Sequence, residues 1–167
     1  MRVLITSAET AFCQEIRSLL ERAEGITAIE QQAGPQLVDQ IQDLQPDLVL
    51  LDLDHTTSYP PDIVSAIRRR HPDIKIVVLS GPGQERQALN ALRNGAHGHL
   101  TTAISDRQQF VAALQAVSRG DSILSPAVAG VILDEMSYRY QLFRRTRAAA
   151  ATRASYLSSA SGQQVTE

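Results

Sequence analysis

Short runs of apolar residues, rich in leucine and β-branched side chains, recur along the chain: RVLIT (2–6), ITAIEQ (26–31), DLVLLD (47–52), IKIVVLS (74–80) and HGHL (97–100). Where such runs lack polar alternation they predict strands covered on both faces, as in a parallel sheet. Between them the apolar positions switch to helical spacing. Phe12, Ile16, Leu19 and Leu20 form one stripe; Leu37, Ile41 and Leu44 a second; Ile63, Val64 and Ile67 a third; Leu89 and Leu92 a fourth; Phe110, Ala113, Leu114 and Val117 a fifth. Each falls near the i, i+3, i+4 rule of a helix with one buried face. Punctuation agrees: Pro46 precedes the third strand, Pro60 and Pro61 precede the third helix, and Gly95 and Gly120 stand where helices should stop. The pattern predicts five strand and helix pairs, an α/β chain whose parallel sheet is doubly wound by right-handed crossovers.

Past Gly120 the pattern changes. Ser125 before Pro126 is a good helix start, and Val128, Ile132, Met136, Tyr140 and Phe143 follow at intervals of three or four. This predicts a long C-terminal sixth helix. The Ser-, Gly- and Gln-rich end has too little apolar content to pack. The expected division is therefore residues 1–120 as one domain, 121–157 as a linker and long amphipathic helix, and 158–167 as a disordered tail.

Composition refines this picture. The chain of 167 residues is 43% hydrophobic, enough for one ordinary core with an appendage. Its net charge of −2 hides an asymmetry: residues 1–125 hold 15 acids and 11 bases, whereas 126–167 hold three acids and five bases. Those five are Arg139, Arg144, Arg145, Arg147 and Arg153, a run that reads first as a solvated helix face. The single Cys13 excludes an internal disulfide, and with no neighbouring Lys or His in sequence it reads as an inert thiol. No apolar run approaches the roughly 20 residues of a membrane span, and no basic-then-apolar leader opens the chain, which points to the cytoplasm.

In a doubly wound sheet ligands sit at the carboxyl ends of the strands, here residues 6–9, 52–54, 80–83 and 101–102. The strings at these ends carry a resemblance. RVLITSAETAFCQEIRSLLE, PDLVLLDLD, IVVLSG and GAHGHL, in register, resemble the receiver domain of LuxR-type two-component response regulators, and SRGDSILSPAVA is similar to the linker that follows it. The resemblance implies a flavodoxin-like fold with strand order 2-1-3-4-5. It also implies a site in which two acids after strand one and an Asp after strand three hold Mg²⁺, while a Ser or Thr and a Lys bind phosphoryl oxygens. By that resemblance Asp52 stands at the phosphoacceptor position and Ser80 at the hydroxyl. The acidic pair falls on Ser7 and Ala8, the Lys on Thr102, the usual Met-Pro on His55 and Thr56, and the aromatic switch residue on His99.

Mg²⁺ needs hard oxygen ligands and usually takes one or two carboxylates. Ser7 offers one neutral oxygen and Ala8 none. Without the ion and the Lys, a phosphoryl group would add a charge of about −1.5 to −2 beside Glu9 and Asp54 with no cation to offset it. Positioning and charge neutralisation supply nearly all of phosphoryl-transfer catalysis, so the site reads as retired, with no cofactor and no Mg²⁺. A rearranged site gathering Glu9, Asp52 and Asp54 is one alternative. Others are a local hydrogen-bonding role for Asp52 and a pocket in which Ser7, Ser80, Thr102 and loop amides hold a small anion.

The remaining candidates have structural readings. His97 and His99 lie on one side of a strand, with His55 near, but no ligand spacing supports a metal; His99 could also be an exposed pH-responsive residue. SGPG (80–83) lacks the Lys and spacing of a phosphate loop and reads as a mobile connection. RRRHP (68–72) complements a helix C-terminus. No catalytic acid–base pair or nucleophile motif is present, so no enzyme is expected.

One predicted helix cannot build a helix-turn-helix, so sequence-specific DNA binding is not expected. The stripe from Val128 to Phe143 needs cover, and pairing with a second copy is the expected solution. The leading expectation is a phosphorylation-independent receiver-like protein that binds a protein partner through the family's α4–β5–α5 face, with Arg93, His99, Arg107 and Gln108 on or near it. The alternatives are a conventional receiver switched at Asp52 and a basic-tailed nucleic-acid-binding regulator. Response to Mg²⁺ with a phosphate analogue separates the first alternative. Salt-dependent binding lost on replacing Arg144, Arg145 and Arg147 separates the second.

Overall fold

The computed structural model of the chain describes residues 1–54 and 62–161, with side chains described through Arg147. His55, Thr56, Pro60, Pro61, the Arg153 side chain and the last six residues of the expected tail lie outside that description.

Five strands, β1 (Arg2–Ser7), β2 (Thr27–Gln32), β3 (Leu48–Asp52), β4 (Lys75–Ser80) and β5 (Gly98–Thr101), alternate with α1 (Thr10–Leu20), α2 (Leu37–Leu44), α3 (Ile63–Arg70), α4 (Glu85–Arg93) and α5 (Arg107–Ser118). All strand pairs are parallel, in the order β2-β1-β3-β4-β5. This is the doubly wound, flavodoxin-like sheet that the sequence predicts. The direction of winding reverses between β1 and β3, so their carboxyl ends flank the crevice where such folds bind ligands.

The burial of each strand follows from its place. All five residues of central β3 are buried, and β1 and β4 are buried past their first residue. Edge strand β2, with Glu30, Gln31 and Gln32, is only half-buried, as suits a strand that faces water along one side. Successive side chains alternate between faces. Val3, Ile5, Leu48, Leu50, Val77 and Leu79 therefore share one face, where they form a core with Cys13, Ile16 and Leu20 of α1 and Phe110, Val111, Leu114 and Val117 of α5. The alternate residues Leu4, Val49, Leu51, Ile76 and Val78 are also fully buried. Their face is left to α2, α3 and α4.

One stripe differs from its expectation. In α4 the buried residues are Ala88 and Ala91, while Leu89 and Leu92 are only half-buried. Small methyl groups let the helix backbone lie close to the sheet, and the larger leucines splay to the flanks, so the weight of leucine points one residue away from the deepest positions.

Helix ends follow the expected chemistry. The Asp106 carboxylate accepts from the Gln108 and Gln109 amides and caps α5. Gly95 and Gly120 end α4 and α5 at φ of 105° and 104°. Gln45, at the end of α2, takes the same left-handed region (φ 45°) without being glycine.

The chain divides into two compact units, Met1–Ala129 and Gly130–Glu167. The first includes segment 121–125, which lies along β5: the His99 amide donates to the Ile123 carbonyl (2.8 Å) and the Ser125 amide to the His99 carbonyl (3.1 Å). Beyond it α6 (Pro126–Ser161) is a single helix of 36 residues, about 54 Å long at 1.5 Å per residue. Ser125 is its N-cap, accepting from the Val128 amide at 3.4 Å. The helix continues four residues past residue 157, where the apolar content falls away. Among the described residues no helix is long and apolar enough to cross a membrane.

Replacing Gln45 by Gly should relieve roughly 1–2 kcal/mol of left-handed strain against about 0.5–1 kcal/mol of added chain entropy. The expected net gain of roughly 0.5–1 kcal/mol is read as a higher urea midpoint at unchanged slope; an unchanged or lower midpoint contradicts it.

Candidate functional site

The crevice between β1 and β3 is built from strand ends. Ser7 closes β1, Asp52 closes β3 and Ser80 closes β4, and all three are buried. Asp52 is 1% exposed, so its carboxylate depends on the protein for hydrogen bonds. The Ser7 hydroxyl donates to Oδ2 at 2.5 Å, and the Asp54 amide donates to Oδ1 at 2.9 Å. Ser7 Oγ in turn accepts from the Glu9 amide at 3.0 Å, which fixes the turn from β1 into α1. Both carboxylate oxygens are thus held by groups the chain itself supplies.

The other acids face elsewhere. Asp54 is exposed, and both of its oxygens accept from the Gly81 amide, at 2.8 and 2.9 Å; Thr102 Oγ1 adds a longer contact of 3.4 Å. A Cβ on Gly81 would lie 3.1 Å from Asp54 Oδ2, so glycine gives the carboxylate its close approach. The SGPG segment, expected as a mobile connection, here supplies an anchor. Ala8 and Glu9 are exposed at the start of α1, and Glu9 makes no side-chain cap bond to that helix.

These residues fit Mg²⁺ poorly. The positions that would provide carboxylates hold a hydroxyl already bonded to Asp52 and a methyl, and Asp54 is tied to the β4 loop. Among the described residues no three His, Cys, Asp or Glu side chains gather to hold a metal ion.

His99 is the largest departure from the sequence reading. Expected as an exposed switch position on a partner face, it is 3% exposed. Its Nε2 is hydrogen-bonded with Ser80 Oγ at 2.8 Å, and its Nδ1 with Ser125 Oγ at 2.9 Å. Segment 121–125 covers it, and that cover is why it cannot belong to the surface. Burial holds the imidazole below its ordinary pKa, although Glu85 and Asp54 pull the other way. His97 is separately engaged: its Nδ1 accepts from the Ile76 amide at 3.1 Å, and burial, with Arg68 and Lys75 adding, lowers its pKa too. Arg93 and Gln108 are exposed at the end of α4 and the start of α5, and Arg107 is half-exposed. Cys13 lies in the core, where burial, and after it Glu30, raise its thiol pKa.

In α6 the expected stripe is not uniform. Val128 is buried and Ile132 half-buried, whereas Met136, Tyr140 and Phe143 are exposed. Sequence reasoning named Ser125 only as a helix start. Its bond to His99 spans 26 residues, and no local signal marks such a pair.

The profile of the response regulator receiver domain family matches residues 3–115. Among curated proteins, the phosphate regulon transcriptional regulatory protein PhoB of Pseudomonas aeruginosa is 32% identical over 143 residues, covering 82% of this chain and 62% of its own length. The nitrate/nitrite response regulator protein NarL of Escherichia coli is 29% identical over 118 residues, covering 70% and 54%. The chain thus spans between half and two thirds of the length of these relatives. Among solved structures, a LuxR-family two-component response regulator from Aurantimonas sp. SI85-9A1 superposes with a TM-score of 0.71 at 24% identity, covering 81% of this chain and 97% of that one. The isolated REC domain of RcsB from Salmonella enterica serovar Typhimurium, in the apo form, gives 0.66 at 20% identity, covering 79% and 98%. These structural likenesses establish the fold.

Two outcomes are expected from this geometry. Ser7→Ala removes a donor to a buried carboxylate and should cost about 1–3 kcal/mol, measured by denaturant unfolding; no loss contradicts the bond. The second concerns pH. His97 and His99 have depressed folded pKa values, so below about 6.5 the unfolded chain binds more protons than the native one. Stability is therefore full above that pH and falls as the solution is acidified toward the folded values. The urea midpoint should drop between pH 7.5 and 5.5, and less so in His99→Gln; equal slopes in the two proteins would exclude His99 as a contributor.

Proposed function

Because the chain belongs to the response regulator receiver domain family, we propose that it serves signal transduction as an atypical receiver, a pseudo-receiver that acts by binding another protein without phosphorylation of Asp52. The observation that carries this reading is the state of the Asp52 carboxylate: Ser7, standing at an acidic position of the family pattern, donates to one oxygen, and the Asp54 amide to the other. A receiver that accepts a phosphoryl group needs that carboxylate presented to a metal and an incoming phosphorus. Here a hydroxyl and a methyl replace the ligands and a neutral Thr102 replaces the cation, so no fixed positive charge offsets the transferred group.

The protein works as a homodimer in the cytoplasm, paired through α6, where Leu133, Met136, Tyr138, Tyr140, Leu142 and Phe143 are all exposed. Exposed aromatic and aliphatic side chains at this density mark an association surface. The partner protein meets the surface of α4 and α5, where Arg93, Arg107 and Gln108 lie, with His99 as internal support. No part of this reading needs a cofactor, catalysis or sequence-specific DNA binding by the described residues.

Intact-mass measurement after incubation with Mg²⁺ and acetyl phosphate tests the central claim, with Asp52→Ala as control. No adduct is expected in either protein. An adduct on the unmodified chain that vanishes in Asp52→Ala would establish a conventional receiver in its place.

A further inference from the structure

Leu133, Met136, Tyr140 and Phe143 of α6 are 64, 63, 64 and 56% exposed and follow one another at intervals of three, four and three. At 3.6 residues per turn they occupy a stripe roughly 80° wide, the a and d positions of a coiled-coil seam. Ile132 and Arg139 border it on one side, and Ser137 and Arg144 on the other; Tyr138 and Leu142 lie on a different side of the helix. A seam of four apolar rungs is complementary to itself, and a two-fold axis through it uses the same patch twice.

We propose that two copies of the chain pair antiparallel along this seam, Met136 of one against Tyr140 of the other, and Leu133 against Phe143. This rests on the α6 pairing proposed above and adds its direction. The arginines decide it. In a parallel pair Arg139 of each helix faces Arg144 of its partner, on both edges of the seam, and Arg147, next in the a/d sequence, stacks on itself. Three like-charge contacts then fall within about two helical turns, with no acid beside the seam to relieve them. Reversing one helix leaves one such contact, Arg139 against its own copy beside the two-fold axis, but parts Arg139 from Arg144 and takes Arg147 away from its own copy. The arginines thus act against the parallel arrangement. Packing agrees: every antiparallel layer joins an aromatic ring to an aliphatic or thioether side chain, including a Met136–Tyr140 contact of the favourable sulfur–ring kind. A parallel pair would instead set Tyr140 hydroxyl against Tyr140 hydroxyl.

Variants of the full chain with one added cysteine test this, since positions 136 and 140 are exposed and the native Cys13 is buried. Met136→Cys and Tyr140→Cys, one carrying a size tag, are mixed and oxidised with copper phenanthroline, and the disulfide-linked species are resolved on a non-reducing gel. The mixed 136–140 species should exceed either self-linked species. Self-linked Met136→Cys as the main product would overturn the antiparallel direction while leaving the pairing intact. Sedimentation equilibrium separates the two levels: the unmodified chain and the off-seam variant Tyr138→Glu should both be dimers, and Met136→Glu a monomer. A monomeric unmodified chain, or a Met136→Glu variant that dimerises as well as the parent, would overturn the pairing itself.

Discussion

A carboxylate at the end of a strand with no solvent on either face must be held by hydrogen bonds, and this requirement at Asp52 organises the crevice. The strand that leads to it, Leu48 to Leu51, is wholly apolar and buried, so nothing within β3 can serve the carboxylate. The donors come from the adjacent strand, through Ser7, and from the chain's own next turn, through the Asp54 amide. Ser7 then accepts from Glu9 and sets the entry into α1. Two carboxylates in place of Ser7 and Ala8 would repel Asp52 unless a cation lay between them; a hydroxyl removes both the repulsion and the need. The hydroxyl that stands where the family pattern has a carboxylate thus serves the carboxylate that remains.

A second consequence runs to the far side of the sheet. β5 is short and would end the sheet with an open edge, but segment 121–125 lies along it and takes the exposed backbone groups at His99. Gly98 permits this, because a Cβ there would come within 3.0 Å of the Ile123 carbonyl oxygen. With that edge closed, His99 has no route to water, and both ring nitrogens find serine hydroxyls instead. Closing an edge, burying an imidazole and starting α6 are one event in this fold.

Most of the sheet and its helices could be read in advance, because strand burial and helical stripes are properties of neighbouring residues. The unbroken LVLL of β3 and the Ile63, Val64, Ile67 stripe of α3 each state their own environment. What escaped depends on pairs distant in sequence. His99 looks like a surface residue until segment 121–125 is laid over it, and Gly81 looks like a loop glycine until Asp54, 27 residues away, folds onto its amide. The α4 stripe misled for a different reason: leucine signals burial more strongly than alanine, yet close helix–sheet contact selects the smaller side chain.

The cap of α6 also reaches the crevice through a ring. Ser125 Oγ accepts the Val128 amide and is hydrogen-bonded with His99 Nδ1, while His99 Nε2 is hydrogen-bonded with Ser80 Oγ. A neutral imidazole donates at one nitrogen and accepts at the other, so the two serines play opposite parts toward it: one gives the ring a hydrogen and the other receives one. The start of a helix outside the crevice is thus coupled, through one buried ring, to the polarity of a hydroxyl at the end of β4.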